Sequence, residues 1–146
     1  MPRYAVAAVF VEDELGRVAL QLRDDIPTIR FPNHWSLWGG KVEQDETPLA
    51  AAVRELGEEL TLTVQEDALT RVCERERGEG TPFHADWHVY RYCAGKTLDH
   101  AVVMEGQGLR RFDVSMLTDE WLDGRPVHPV IRETLSDYLR ARGAQS

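Results

Sequence analysis

Two cysteines in 146 residues, with no Cys-x-x-Cys spacing, provide neither a disulfide framework nor a thiolate zinc site. Cys73 and Cys93 both lie in apolar stretches and are read as reduced core residues. Long apolar runs are missing too. The longest, Ala5 to Val11, is far too short to span a bilayer, so no membrane partner is expected. Met1-Pro2-Arg3 is not followed by a secretory apolar core and small-residue cleavage site, which points to the cytoplasm. There is no basic tract. Lys plus Arg number 17 against 25 Asp plus Glu, a net charge of −8, and a nucleic-acid groove built on phosphate neutralisation is not expected. Repeats, low-complexity segments and linkers are absent as well. With 42% hydrophobic and 29% charged residues, the chain is expected to fold as one domain over residues 1–146, as a monomer or a homodimer.

What is present alternates between strand and helix signals. The run Tyr4 to Val11 suits a buried strand. After a turn at Glu12 to Gly16, Val18, Leu20 and Leu22 share one face of a second strand, completing a β-hairpin. Asp24 to His34, with Pro27 and Pro32, reads as a loop. Thr47-Pro48 marks a helix start, and Leu49, Val53, Leu56 and Leu60 recur as its core stripe. Leu69 to Glu76 and Phe83 to Cys93 are strand candidates. Val102 to Met104 and Leu109 to Phe112 are shorter ones around a Gly106-Gln107-Gly108 turn. A closing helix runs from about Pro129 to Arg142, with Ile131, Leu135, Tyr138 and Leu139 on one face. This order suggests an α+β fold or a mixed-sheet sandwich rather than repeated βαβ units.

The informative stretch runs from Gly39 to Leu62. On a helix, Glu58 lies about 60° to one side of Glu55 and Glu59 about 40° to the other, so the three carboxylates share one face. Two carboxylates about 5 Å apart repel by roughly 3 kcal/mol at an effective dielectric of 20. Three need a counter-charge or a retained proton. A hard divalent cation such as Mg²⁺ satisfies them and keeps coordination positions for a phosphate. Gly39-Gly40 at the other end of the segment permits close backbone approach and leaves a carbonyl free to ligate. A plain solubilising acidic face, with Arg54 as the i, i+4 partner of Glu58, accounts for these residues equally simply.

The full spacing resembles the signature of the Nudix hydrolase family. That signature is Gly, five residues, Glu, seven residues, Arg-Glu, an aliphatic, any residue, Glu-Glu, any residue, Gly and an aliphatic. Gly40, Glu46, Arg54, Glu55, Leu56, Glu58, Glu59 and Leu62 stand at those positions, and only Thr61 departs, replacing the second Gly. A Gly there ends the helix in a left-handed conformation, so Thr61 suggests a different helix exit. Glu105-Gly106-Gln107 and Pro129-Val130-Ile131 resemble the subgroup that cleanses oxidised guanine nucleotides. The asparagine that reads the base there is replaced by Val127, which has neither donor nor acceptor.

The resemblance implies an α/β/α sandwich with a mixed sheet and a loop–helix–loop motif. It implies Mg²⁺, or Mn²⁺ on the same ligands, held by Glu58, Glu59 and the Gly39 carbonyl. Glu55 would ligate or orient the attacking water, and Glu105 would act as base or further ligand. Arg54 would hold the box glutamates, Gly40 would keep the turn tight and Glu46 would brace the helix entry. Among substrate contacts, Arg23 and Lys41 are candidates for phosphate or ribose. Trp35 and Trp38, flanking the glycine turn, are candidates for stacking on a base, as are Phe83 and Trp87 more weakly; each is equally a core residue by type. His84, Asp86 and His88 alternate along a strand face, a spacing read as solvated rather than metal-binding. The implied reaction is Mg²⁺-dependent pyrophosphohydrolysis of a nucleoside diphosphate linked to another group, a nucleoside triphosphate first. The alternatives are a nucleotide-sugar pyrophosphatase, for example one acting on ADP-ribose, and a non-catalytic nucleotide-sensing module. An isopentenyl diphosphate isomerase is disfavoured because no cysteine precedes the box.

Overall fold

The apolar run at the N-terminus has no polar face because it is covered twice. In a computed structural model describing residues 3–143, it forms β1 (Ala5–Glu12) in the middle of a seven-stranded mixed sheet. Met1, Pro2 and residues 144–146, including the ends of the expected domain, lie outside the described residues. Val6, Ala8 and Phe10 enter one core; Ala7, Val9 and Val11 enter another on the opposite face. The first core is closed by helix α2 (Pro129–Gly143) through Val130, Ile131, Leu135 and Tyr138. Helix α1 (Pro48–Leu60) closes the second through Ala51, Ala52, Leu56 and Leu60. The result is the expected α/β/α sandwich.

β1 is shared along its length. Its second half pairs antiparallel with β2 (Val18–Leu22), and its first half with β4 (Trp38–Lys41). On its other edge it runs parallel to β6 (Asp86–Cys93), which pairs antiparallel with β5 (Leu69–Arg75). β2 carries β3 (Trp35–Ser36) and β7 (Gly108–Phe112). A two-stranded ribbon, β8 (Trp121–Leu122) and β9 (Arg125–Pro126), precedes α2. None of the described helices is long and apolar enough to cross a membrane.

Several expectations need correcting. Val102 to Met104 is extended but forms no strand. The Val102 and Met104 amides donate to the Leu60 and Glu59 carbonyls at the end of α1, at 3.2 and 2.8 Å, leaving no ladder to make. β6 begins at Asp86 because Phe83 belongs to the preceding loop, where its amide donates to Thr81 Oγ1 and its carbonyl accepts from Gly78. The buried stripe of α1 contains Ala51, Ala52 and Glu59 in addition to Leu56 and Leu60, while Leu49 and Val53 are only half-buried. Leu139 on α2 is exposed, and so is Cys93 at the end of β6; both cysteines are free. Thr61 does not alter the helix exit. It takes the left-handed conformation (φ 58°, ψ 24°), its amide donating to the Gly57 carbonyl, and its Oγ1 accepts from Val102 at 3.1 Å.

On the α2 side, one buried carboxylate ties three elements together. Glu12 of β1 accepts from Arg91 Nε of β6 at 2.5 Å and from Tyr138 Oη of α2 at 2.8 Å. Removing one donor leaves a buried acceptor partly unsatisfied, at a cost of about 1–2 kcal/mol. Tyr138→Phe is therefore expected to lower unfolding free energy by about that much in urea titration, with the fold retained.

Candidate active site

The site forms where the β4 glycines meet α1. Thr47 caps α1, its Oγ1 accepting from the Ala50 amide at 3.0 Å, and Pro48 occupies the first turn. This anchors the helix so that Glu55, Glu58 and Glu59 run from solvent to interior: Glu58 exposed, Glu55 half-buried, Glu59 only 2% exposed. Gly39 is required at its position. Its φ is 141°, and a Cβ there would lie 2.0 Å from the Ala7 carbonyl oxygen. At Gly40 a Cβ would meet Glu55 Oε1 at 2.5 Å. The two glycines thus let β4 lie flat on β1 while Glu55 and Glu59 sit directly over it.

Glu59 accepts from the Gly39 amide at 2.8 Å and from Gln21 Nε2 at 3.4 Å. Burial pushes its pKa up to about 10. Hydrogen bonding to the Glu105 carboxyl and the nearby charges of Glu105 and Glu55 add to the rise, while the Gly39 amide opposes it. Burial also raises the pKa of Glu55, against the pull of Arg54. Arg54 is the counter-charge of the motif. It donates to Glu46 at 2.8 and 2.9 Å, to Glu55 at 2.9 Å, to Glu58 at 3.3 Å and to the Lys41 carbonyl at 3.1 Å. Its bidentate hold keeps the Glu46 carboxyl well down, at about 2.

Glu105 arrives on the loop before β7. Its backbone carbonyl accepts from Gln21 Nε2 at 3.1 Å, and with Glu55, Gly39 and Gly40 it lines a cavity of about 330 Å³. Among the described residues no three acidic, imidazole or thiol side chains converge as a finished metal site, since Arg54 holds Glu58 to one side. The donor set nevertheless fits a hard cation. Glu55 and Glu105 line one cavity, the charges of both reach Glu59, and every candidate ligand is an oxygen.

A second cavity of about 430 Å³ adjoins the first, sharing Arg23, Gly39, Gly40 and Lys41 with it. Its walls are aromatic: Tyr4, Phe31, His84, Trp87 and His128. Arg23 Nε donates to the Arg30 carbonyl at 2.9 Å, and Lys41 Nζ lies 5.0 Å from the centre of the Tyr4 ring. Arg23 and Lys41 therefore stand between the two cavities, where a phosphate chain joined to a ring would pass.

The two tryptophans flanking the glycine turn are corrected to core residues. Trp38 is fully buried, its Nε1 donating to the Ala19 carbonyl at 2.9 Å; Trp35 is 2% exposed, donating to Leu122 at 2.8 Å. Neither has a ring face to offer. Trp87 does line the aromatic cavity. His84, Asp86 and His88 do not act together: Asp86 is gripped by Arg3 at 2.6 and 2.7 Å, and His88 faces Glu74 at 3.4 Å. Sequence reasoning passed over Tyr4, Phe31 and His128, and also Gln107. Gln107 Nε2 donates to the Arg23 carbonyl at 2.7 Å and to Asn33 Oδ1 at 2.9 Å, joining the Glu105 loop to the loop that carries Phe31. The Glu-Gly-Gln string was a signal for Gln107; nothing local marked the others.

Comparison with known proteins shows the family and the fold. Residues 1–129 match the family model described as NUDIX domain. Dihydroneopterin triphosphate diphosphatase of Escherichia coli (strain K12) is 33% identical over 98 residues, covering 66% of this chain and 59% of that protein. The chain thus matches less than two thirds of that relative's length. A MutT protein from Methanosarcina mazei Go1 superposes with TM-score 0.70 at 16% identity, covering 97% of this chain and 96% of that one. A Nudix hydrolase from M. smegmatis, RenU, superposes with TM-score 0.63 at 26% identity, covering 98% and 87%.

A buried carboxyl whose pKa is raised binds more protons folded than unfolded, so its contribution is intact at low pH and is lost as pH rises above the ordinary glutamate range. Without divalent metal, Glu59→Gln is expected to stabilise the protein at pH 8 by on the order of 1–3 kcal/mol and to change little at pH 4. Thermal melts in a chelator across that range check this.

Proposed function

Since the chain belongs to the Nudix family, we propose that it is a Mg²⁺-dependent pyrophosphohydrolase, cleaving a phosphoanhydride bond in a nucleoside triphosphate. The observation that carries this is that Glu55 and Glu105 line a cavity with the Gly39–Gly40 turn, Arg23 and Lys41, while Glu59 is buried against the Gly39 amide. A solubilising acidic surface has no reason to bury Glu59 to 2% exposure or to line a cavity with Glu55 and Glu105. The name of the 33%-identical relative, a triphosphate diphosphatase, supports a triphosphate carried on a heterocycle.

In this reading Glu55, Glu58, Glu59, Glu105 and the Gly39 carbonyl supply the metal ligands. A bound divalent cation would neutralise phosphate charge and lower the pKa of bound water. Glu58, held by Arg54 at 3.3 Å, would have to leave that contact to serve as a ligand. Arg54 keeps Glu46, and so fixes the helix entry against the turn. Glu55 and Glu105 line the same cavity, and either would take the proton of the attacking water. Arg23 and Lys41 bind the phosphates, and the aromatic cavity receives the ring. Oxygen ligands of this kind accept Mn²⁺ as readily. A sensing module without turnover would need none of this proton-accepting apparatus.

The test is a panel of nucleoside triphosphates, dihydroneopterin triphosphate and ADP-ribose, assayed with Mg²⁺ and with products identified. Turnover of a triphosphate is expected, with Glu105→Gln lowering kcat by ~10²-fold or more while melting like the wild type. Turnover of none of them would overturn the hydrolase reading, and wild-type kcat in Glu105→Gln would remove Glu105 from the chemistry.

Val127 is 3% exposed, packed in the core against β3, and its amide donates to the Glu120 carbonyl at 2.9 Å. It offers the substrate nothing. The kcat/KM for 8-oxo-dGTP is accordingly expected to stay within about a thousandfold of that for dGTP, roughly 4 kcal/mol, in parallel assays.

A further inference from the structure

Like Ser36, His128, the residue beside Val127, is a buried polar side chain in the wall of the aromatic cavity. It is 5% exposed and lies immediately before α2, whose Val130 amide donates to its Nδ1 at 3.1 Å. The imidazole therefore caps the helix, and the cap sets the tautomer: with Nδ1 accepting, the ring proton sits on Nε2. The backbone is pinned as well, the His128 amide donating to the Trp35 carbonyl at 2.8 Å. Phe31 packs on the ring with centroids 4.0 Å apart, and Trp87 at 5.8 Å, so its orientation is fixed from both sides.

Nδ1 is taken up by α2, Nε2 has no hydrogen-bond partner among the described residues, and His128 lines the cavity. Trp87 Nε1 and His84 Nδ1 also lack partners, but both are sealed beneath the surface and out of a ligand's reach. The charged side chains on this cavity, Arg23, Arg30 and Lys41, are donors too; among the described residues no Asp, Glu, Asn or Gln lines it, and its side-chain oxygens are the hydroxyls of Tyr4 and Ser36. A ring entering here meets donors and almost no side-chain acceptors. An exocyclic amino group would lose its water partners without replacement, whereas a ring carbonyl would find one.

We propose that His128 is the specificity-determining residue of this cavity, its Nε2–H reading a ring carbonyl, so that oxo-substituted heterocycles are taken in preference to their amino counterparts. This rests on the reading of the adjoining carboxylates as the hydrolytic centre and of the aromatic cavity as the seat of the substrate's ring. The preference concerns the carbonyl that the ring turns toward α2, and not oxidation elsewhere on a purine.

Inosine and adenosine nucleotides differ in this group: a 6-oxo acceptor against a 6-amino donor. The experiment measures kcat/KM for the two triphosphates with Mg²⁺ and, independently of turnover, Kd for the two diphosphates by calorimetry. The wild type is expected to favour the oxo compound by roughly 10-fold in both, the worth of one neutral hydrogen bond. His128→Asn retains a helix cap but does not reach the cavity. It is expected to bring the ratio below about 3-fold, chiefly by raising KM for the oxo compound. If His128 only caps α2, the ratio is the same in wild type and variant, and the proposal falls. It falls equally, with no variant needed, if the wild type shows no oxo preference. Diphosphates discriminated through His128 without turnover of any triphosphate would uphold the proposal and overturn the hydrolase reading. Turnover of both triphosphates at equal kcat/KM would do the reverse.

Discussion

Burying a carboxylate between a helix and a sheet costs several kcal/mol unless hydrogen bonds or charge meet it there. Glu59 is met by the Gly39 amide and by Gln21 of β2, while the neighbouring Glu105 opposes its charge. The two contacts come from different parts of the chain, so one side chain draws β4 and β2 onto α1. The contact with Gly39 demands that β4 lie close on β1, which is why no side chain is accommodated at residue 39. Arg54 does the corresponding work at the surface, where Glu46, Glu55 and Glu58 are held by one guanidinium. The electrostatic frustration of the motif is thereby confined to its interior end.

The two faces of the sheet are put to different uses. Toward α1 the strands supply small residues, Ala7, Ala19 and the β4 glycines, which bring backbone and carboxylates together. On the α2 side large side chains leave an opening at one end, where Tyr4, Phe31, Trp87 and His128 stand round an empty space. Arg23, at the end of β2, belongs to both regions. The two cavities meet there and along Gly39, Gly40 and Lys41.

The acidic helix, the N-terminal hairpin and the closing helix were legible because each carries a period its backbone imposes: four-residue returns in α1 and α2, alternation in β2. β3 and β4 were not, since two residues and a Gly-Gly pair offer no alternation to detect. Val102 to Met104 has the composition of a strand, but the partner of its amides is a helix end 42 to 45 residues earlier, which no local pattern encodes. Of the site, the box residues could be placed by spacing. Trp35 and Trp38 were ambiguous, because an indole suits a core and a ligand face alike, and only their N–H partners decide. His128 was invisible, its significance resting on Phe31, Trp35 and Val130.

The parallel pairing of β1 with β6 joins Ala5 to Asp86 and Glu12 to Cys93. The strand at the middle of the sheet is therefore made before the sheet's other strands, and its partner on one edge follows 81 residues later. During that interval β1 can be held on its other edge by β2 and β4, and α1 can cover one face. Its remaining edge and the face destined for α2 stay open. The half-made chain is a sheet with a bare apolar margin, and the time a ribosome takes to pass from Lys41 to Cys93 is the time for which that margin must avoid a second, foreign strand.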